Sequence, residues 1–310
     1  MAPPSTKTPK STPSHAVETQ LVSAGRDPKW TRGLVNTPVM RASTITFDTY
    51  ADLRAGVKTA LDTNAPFYGR MGTPSQWALR DTLTELEHGD GTHLFPSGVA
   101  AIAHTLLALL DSGDHILIPD SVYEPVRGIA VKLLKRFNIS LDYYDPMSVA
   151  DVAARINNNT RLIFAETPGS LTFEVQDIPA LAKLAGEKGL FLVVDNTWAT
   201  PLYLNPLDLG ADVSIHAGTK YLCGHSDVMV GTATAKGRAW DLLSRASFTA
   251  GQTISADDAF LTLRGIRTLD VRLRQHGAQA LHIAKWLAQH PDVAHVLHPG
   301  LKSCPGHDIW

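Results

Sequence analysis

In the segment "VSIHAGTKYLCGHSD", Val213 to Asp227, a lysine, Lys220, follows an apolar run and stands between a Gly-Thr pair and His225-Ser226-Asp227. Three chemistries compete for it: a solvated surface lysine, part of a Ser/His/Asp hydrolase, or an amine that bonds to a carbonyl cofactor. The hydrolase reading fails on geometry. A triad assembles from residues apart in sequence, adjacent side chains do not relay a proton in line, and no GxSxG elbow occurs. His225 and Asp227 are expected to make local turn or supporting hydrogen bonds instead.

Lys220 gains meaning from Asp195, 220 − 195 = 25 positions earlier, at the end of "LFLVVDN". Pyridoxal phosphate needs a lysine for its Schiff base and a carboxylate that keeps the pyridine nitrogen protonated, so that the ring draws electrons. A phosphate dianion in turn wants free backbone N–H groups at a helix start. "FPSGVAAIAH" offers one, with Ser97 as cap, Gly98 allowing close approach, and the N–H groups of Gly98 and Val99 facing the anion. "YGRMGTP" adds Tyr68 and Arg70, both able to hydrogen-bond a phosphate. Tyr123 in "DSVYEPVRG" follows the run "HILIP", where its ring can stack on a cofactor and its phenol can move a proton if its pKa is lowered. Each motif taken alone also reads as plain structure: a capped buried helix, a glycine turn with a surface arginine, a packing tyrosine. Their weight comes from occurring together.

The elements that must position these residues are legible in the periodicity. "PSQWALRDTLTELEHG" has helical spacing at Trp77, Leu79, Leu83 and Leu86, and "SGVAAIAHTLLALLDSGD" reads as a mostly buried helix. "HILIP", "LIFAE" and "LFLVVDN" are continuous apolar runs, as expected for parallel strands covered on both faces. Helical stretches at Pro125 to Phe137, Val149 to Ile156 and Ile178 to Lys188 are long enough for crossovers. The class is α/β with a mostly parallel central sheet and helices on both faces. Ligands gather at the carboxyl ends of such strands, so Asp195, Lys220 and the Tyr123 segment are expected to converge there. The expected organisation is a disordered tail at 1–16, an N-terminal arm at 17–70, a cofactor-binding α/β domain at 71–264, and the start of a C-terminal domain at 265–310. The arm precedes the α/β core, so Tyr68 and Arg70 are expected to reach across to another subunit.

Composition narrows the partners. The 310 residues are 44% hydrophobic and 19% charged with a formal net charge of −2, a balance that points to a small-molecule partner and to neither nucleic acid nor a membrane surface. Two cysteines, Cys223 and Cys304, are too few for a disulfide framework and have no metal-ligand spacing; two free thiols in a reducing, cytoplasmic setting are expected, with no metal. "MAPPSTKTPKSTPSH" lacks the apolar core of a secretory signal.

Taken in order, "YGRMGTP", "PSGVAA", "SVYEPVRG", "AETPGS", "VVDNTWATP", "SIHAGTKYLCGHSD" and "LRGIRTLDVRLRQH" resemble the Cys/Met-metabolism family of pyridoxal-phosphate-dependent enzymes. The resemblance runs from about Thr19 to the end. It implies fold type I, the aspartate-aminotransferase-like fold. "DNTWATP" with Trp198, and "ETPGSLTFEVQDI" without the asparagine of an "ETPxNP" motif, resemble the β-eliminating branch more than γ-synthases or γ-lyases. By position, the resemblance implies that Lys220 carries the Schiff base and takes the Cα proton, that Asp195 pairs with the pyridinium, and that Tyr123 stacks on the ring and handles the amine's proton. It also implies phosphate contacts from the Gly98 and Val99 N–H groups and the Thr219 hydroxyl. Tyr68 and Arg70 would serve the neighbouring subunit's cofactor in a homodimer or homotetramer with shared active sites. Ala217 departs from the family's frequent serine, so one phosphate contact must come from elsewhere or be missing. The implied reaction is L-cystathionine plus water to L-homocysteine, pyruvate and ammonia, in methionine biosynthesis. A γ-type enzyme of the family is the alternative, and a truncated, non-catalytic cofactor-binding protein a third reading. Family members continue past Trp310 through a small domain bearing the arginine for the substrate α-carboxylate. On that ground the chain is expected to bind amino-acid substrate poorly.

Overall fold

The computed structural model describes residues 16–59 and 64–310; the expected tail at 1–16 lies almost wholly outside them. Seven strands form one sheet: β1 Gly91–Phe95, β2 His115–Pro119, β3 Ser140–Tyr144, β4 Thr160–Glu166, β5 Phe191–Asp195, β6 Val213–His216 and β7 Gly231–Ala235. Their order is β1-β7-β6-β5-β4-β2-β3. From β6 to β3 every pairing is parallel, and β7 alone runs antiparallel to both its neighbours. The mostly parallel sheet expected from the apolar runs is therefore present, with β2, β4 and β5 where "HILIP", "LIFAE" and "LFLVVDN" place them.

Side chains alternate faces along these strands, as a two-residue period requires. Ile116, Ile118, Leu162, Phe164, Val193 and Ile215 pack with Ala101, Ile102 and Leu106 of helix Gly98–Leu109 and with Leu243 of helix Gly237–Ala250. Leu117, Ile163, Ala165, Leu192 and Val194 pack on the opposite face with Val152 of helix Val149–Arg155 and Leu181 of helix Ile178–Lys188. Burial on both faces is why the strands read as unbroken apolar runs. A third core joins Leu79 and Leu83 of helix Pro74–Leu86 to Leu263 of helix Ala256–Ile266 and Leu273 of helix Leu269–Leu287.

The stretch expected as one crossover helix, Pro125 to Phe137, is broken into an α-helix at Glu124–Gly128, a π-turn at Ile129–Leu133 and a 3₁₀ turn at Leu134–Phe137, closed by Asn138 at φ 59°. The arm starts with short helices Val17–Ser23 and Pro28–Thr31. Its start is anchored to its own chain: Leu21 is buried in the third core, and the Arg267 guanidinium donates to the carbonyls of Leu21 and Ala24, each at 2.8 Å. Among the described residues no helix is long and apolar enough to cross a membrane, and no group of three or more metal-ligating side chains is gathered. Cys223 and Cys304 are free and buried.

Candidate active site

The carboxyl ends of β2, β4, β5 and β6 lie on one edge of the sheet, and a cavity of about 700 Å³ opens beyond them. Gly98, Val99, Tyr123, Asp195, Thr219 and Lys220 all line it. Six of the eight residues singled out in the sequence thus meet in one place.

Asp195 ends β5, buried. Its Oδ1 accepts the Thr197 N–H at 3.0 Å, an Asx turn closing just past the strand. Burial pushes its carboxyl pKa up, while the hydrogen bonds from Thr197 and the nearby His216 and Lys220 oppose that rise. A carboxylate so placed is a counter-ion held ready for a cation. Lys220 lies in the turn after β6, exposed to the cavity, with its backbone N–H on the Ala217 carbonyl at 3.0 Å. Thr197 ties the two together, since its Oγ1 also accepts the Ala217 N–H at 2.8 Å.

The helix Gly98–Leu109 points its amino end at the same cavity. Ser97 caps it as expected, its Oγ accepting the Ala100 N–H at 3.1 Å. The N–H groups of Gly98 and Val99, in the first turn, have no carbonyl within the helix to bond and remain for an anion. Glycine is required at 98 by packing. A Cβ there would lie 2.6 Å from Ala217 Cβ and 2.8 Å from Ala217 Cα, so the residue that replaces the family's serine forms the wall against which the helix start is pressed. Thr219 is less free. Its hydroxyl donates to the Val230 carbonyl and accepts the Val230 N–H, both at 3.2 Å. With its single proton committed, it must rotate to meet a phosphate.

His225 Nδ1 lies 2.6 Å from the Cys223 carbonyl of its own loop, the local turn contact expected of it. Tyr68 and Arg70 do not reach the cavity of Lys220. They line a neighbouring one of about 730 Å³ with Arg41 and Asp257, and Met229 borders both. There the Arg70 guanidinium donates to the Phe248 carbonyl at 2.7 Å and lies 4.9 Å from the centre of the Phe248 ring.

Four residues that sequence reasoning did not assign also line the cavity: Glu166, Thr197, Arg272 and His276. The last residue of β4, Glu166, pairs in register with Asp195, and its Oε2 accepts the Tyr123 N–H at 2.8 Å. Burial, then the Asp195 charge, push its pKa up to about 8, against the pull of that N–H. The signal was present in "AETPGS": a carboxylate ending an apolar run on a strand beside Asp195 is carried to the same edge.

Comparison with known proteins settles what this arrangement belongs to. The family model described as "Cys/Met metabolism PLP-dependent enzyme" matches residues 18–310. The chain belongs to this family. It is 42% identical over 296 residues to the cystathionine beta-lyase MetC of Escherichia coli K12, covering 95% of this chain and 75% of that one. It is 45% identical over 298 residues to the cystathionine beta-lyase of Salmonella typhimurium LT2, with the same coverage. Among solved structures, the cystathionine gamma-lyase of Lactobacillus plantarum, complexed with L-serine, superposes with a TM-score of 0.88 at 32% identity, covering 95% of this chain and 74% of that one.

The residues of this family member fit the cofactor. The cavity brings an exposed amine, a buried carboxylate and an open helix amino terminus to one edge of the sheet. These are the three groups that an aldehyde, a pyridine nitrogen and a phosphate respectively require.

Proposed function

We propose that the chain catalyses β-elimination at the carbon–sulfur bond of a thioether amino acid, converting L-cystathionine and water into L-homocysteine, pyruvate and ammonia. One observation carries the reading: the Lys220 amine, the Asp195 carboxylate and the amino end of the Gly98 helix open on a single cavity. When bound there, pyridoxal phosphate supplies an electron sink for the Cα of an attached amino acid.

The chain's own groups do the rest. Lys220 would bond the cofactor's aldehyde and serve as the base for the substrate Cα proton. Asp195 would face the pyridine nitrogen and favour its protonated form in a dry setting, where charge acts strongly. The Gly98 and Val99 N–H groups would hold the phosphate, with the Thr219 hydroxyl after rotation and Tyr68 and Arg70 of a neighbouring subunit. Tyr123 would lie against the ring and handle the amine's proton.

The names of the relatives at 42% and 45% identity support the β-lyase reading; the likeness to a γ-lyase structure keeps γ-elimination as the second reading. Product analysis separates them, since β-elimination of cystathionine releases pyruvate and γ-elimination a 2-oxobutanoate. The proposal includes a cytoplasmic setting, which two buried free thiols suit, and a homodimer or homotetramer. It also divides the chain into an arm at 17–70, a cofactor domain at 71–264 and the start of a C-terminal domain at 265–310.

Lys220→Ala tests the core of the reading. After borohydride reduction and denaturation, the wild-type peptide containing Lys220 should carry the cofactor mass, and the variant should not. Pyruvate release should fall by roughly 10²-fold or more, as loss of a catalytic base predicts. A variant that keeps the reduced label and normal turnover overturns it.

A further inference from the structure

Tyr123 has to keep its ring over the cavity from a loop, with 40% of its surface exposed. Few contacts hold it. Its backbone lies at φ −48° and ψ 127°, just before the short helix Glu124–Gly128, and its N–H is directed onto Glu166 Oε2 at 2.8 Å. We propose that Glu166 is a positioning residue of this site: its carboxyl group anchors the Tyr123 segment over the cavity, beside Asp195 on the neighbouring strand.

Glu166 is itself braced for that task. Gln176 Nε2 donates to the Glu166 carbonyl at 2.9 Å, and the buried Tyr144 hydroxyl donates to Gln176 Oε1 at 2.7 Å. The Gln176 N–H is in turn tied to Thr167 Oγ1 at 3.0 Å. The end of β4 is thus held through its backbone as well as through the Glu166 side chain.

Different groups face the two carboxyls. Glu166 and Asp195 are register partners on adjacent parallel strands, and two desolvated carboxylates so close do not both ionise at neutral pH. Asp195 has the Thr197 hydrogen bonds, His216 and Lys220 favouring its anion, whereas Glu166 has one backbone N–H. Glu174 in the loop after β4, and Arg272 and His276 from the helix Leu269–Leu287 across the cavity, complete the charged and titratable surroundings. Burial, then the Asp195 charge, push the Glu166 pKa up to about 8, and burial pushes Asp195 up as well, so the pair shares a proton at neutral pH.

The inference rests on the proposed function only for its activity arm, so a spectroscopic arm is run on the cofactor-free protein. With ¹⁵N-tyrosine labelling, and Tyr123→Phe to assign the signal, the Tyr123 amide should titrate with a midpoint near 8. In Glu166→Gln, which keeps an acceptor but cannot ionise, that titration should vanish. A Tyr123 amide that titrates identically in Glu166→Gln, or not at all in the wild type, overturns the inference even if the enzyme is active.

In the loaded enzyme, Glu166→Gln, which keeps an acceptor for the Tyr123 N–H but cannot ionise, should remove the limb that Glu166 adds to the pH profile of kcat/KM above about pH 8. Glu166→Ala, which also removes the anchor, should lower kcat roughly tenfold with little change in KM, the mark of a misplaced group. Equal kcat and equal pH profiles in wild type and Glu166→Ala also sink it. If no substrate is turned over by the wild type, the function reading fails and the amide titration still decides this one.

Discussion

Asp195 illustrates what a single buried charge needs. Its carboxyl is out of water at the end of a strand, where burial pushes its pKa up, and two hydrogen bonds from Thr197 with two nearby basic groups oppose that rise. Its neighbour Glu166 is held up to about 8 from an ordinary 4.5. A carboxyl with a raised folded pKa adds stability that is fully present below the unfolded value and is lost as pH rises through the folded one. The cofactor-free protein should therefore lose urea resistance as pH rises from about 4.5 towards 8. Asp195→Asn removes one member of the pair and should flatten that fall. The same variant, loaded with cofactor, should lose roughly 10²–10³-fold in kcat, the usual cost of deleting a preorganised electrostatic partner. A pH–stability curve unchanged by Asp195→Asn would mean that the pair does not share the proton.

At the scale of elements, the site depends on four strand ends and one helix start being brought together. The strands β2, β4 and β5 were legible because burial on both faces makes them continuous apolar runs. Neither β3 nor β7 was. "SLDYY" lies at the sheet edge with an exposed, half-buried alternation, and "GTATA" fills the interior with small residues of weak apolar character. The Pro125–Phe137 stretch had a helical composition but could not announce its π and 3₁₀ breaks, which depend on packing.

The candidate residues at the strand ends were readable for a related reason: Asp195 ends a strand that the pattern reveals, and Lys220 and Tyr123 each follow one. Glu166 was missed although its strand was read, because the register that sets it beside Asp195 is a property of the sheet. The same holds for Gly98, whose need for glycine lies in Ala217, far along the chain. Gly98→Ala should destabilise the fold by about 1–3 kcal/mol, the range for overpacking. It should also weaken cofactor binding by tilting the N–H groups at 98 and 99. Combining it with Ala217→Gly should recover part of both losses in urea melts and cofactor titrations; no recovery would place the strain elsewhere.

For the whole molecule, the question is where Tyr68 and Arg70 act. In the single chain they line a separate cavity, with Tyr68 42% exposed and Arg70 resting on the Phe248 carbonyl. Tyr68 and Arg70 lie outside their own chain's cofactor cavity, where they line a separate one, and on the proposed function they would serve a neighbour's site. In the proposed dimer, a two-fold axis would make any such contact reciprocal. Shared sites have a consequence that no single variant can mimic. Arg70→Ala and Lys220→Ala should each be nearly inactive alone, the second for want of its amine and the first for weakened hold on the phosphate. Refolded together in equal amounts, half of the dimers are mixed, and each mixed dimer rebuilds one complete site from the intact lysine of one chain and the intact arginine of the other. Pyruvate release should return to about a quarter of the wild-type rate on symmetry grounds. If Tyr68 and Arg70 instead serve their own chain, each site in the mixed dimer lacks one group. The mixture then stays as inactive as its components.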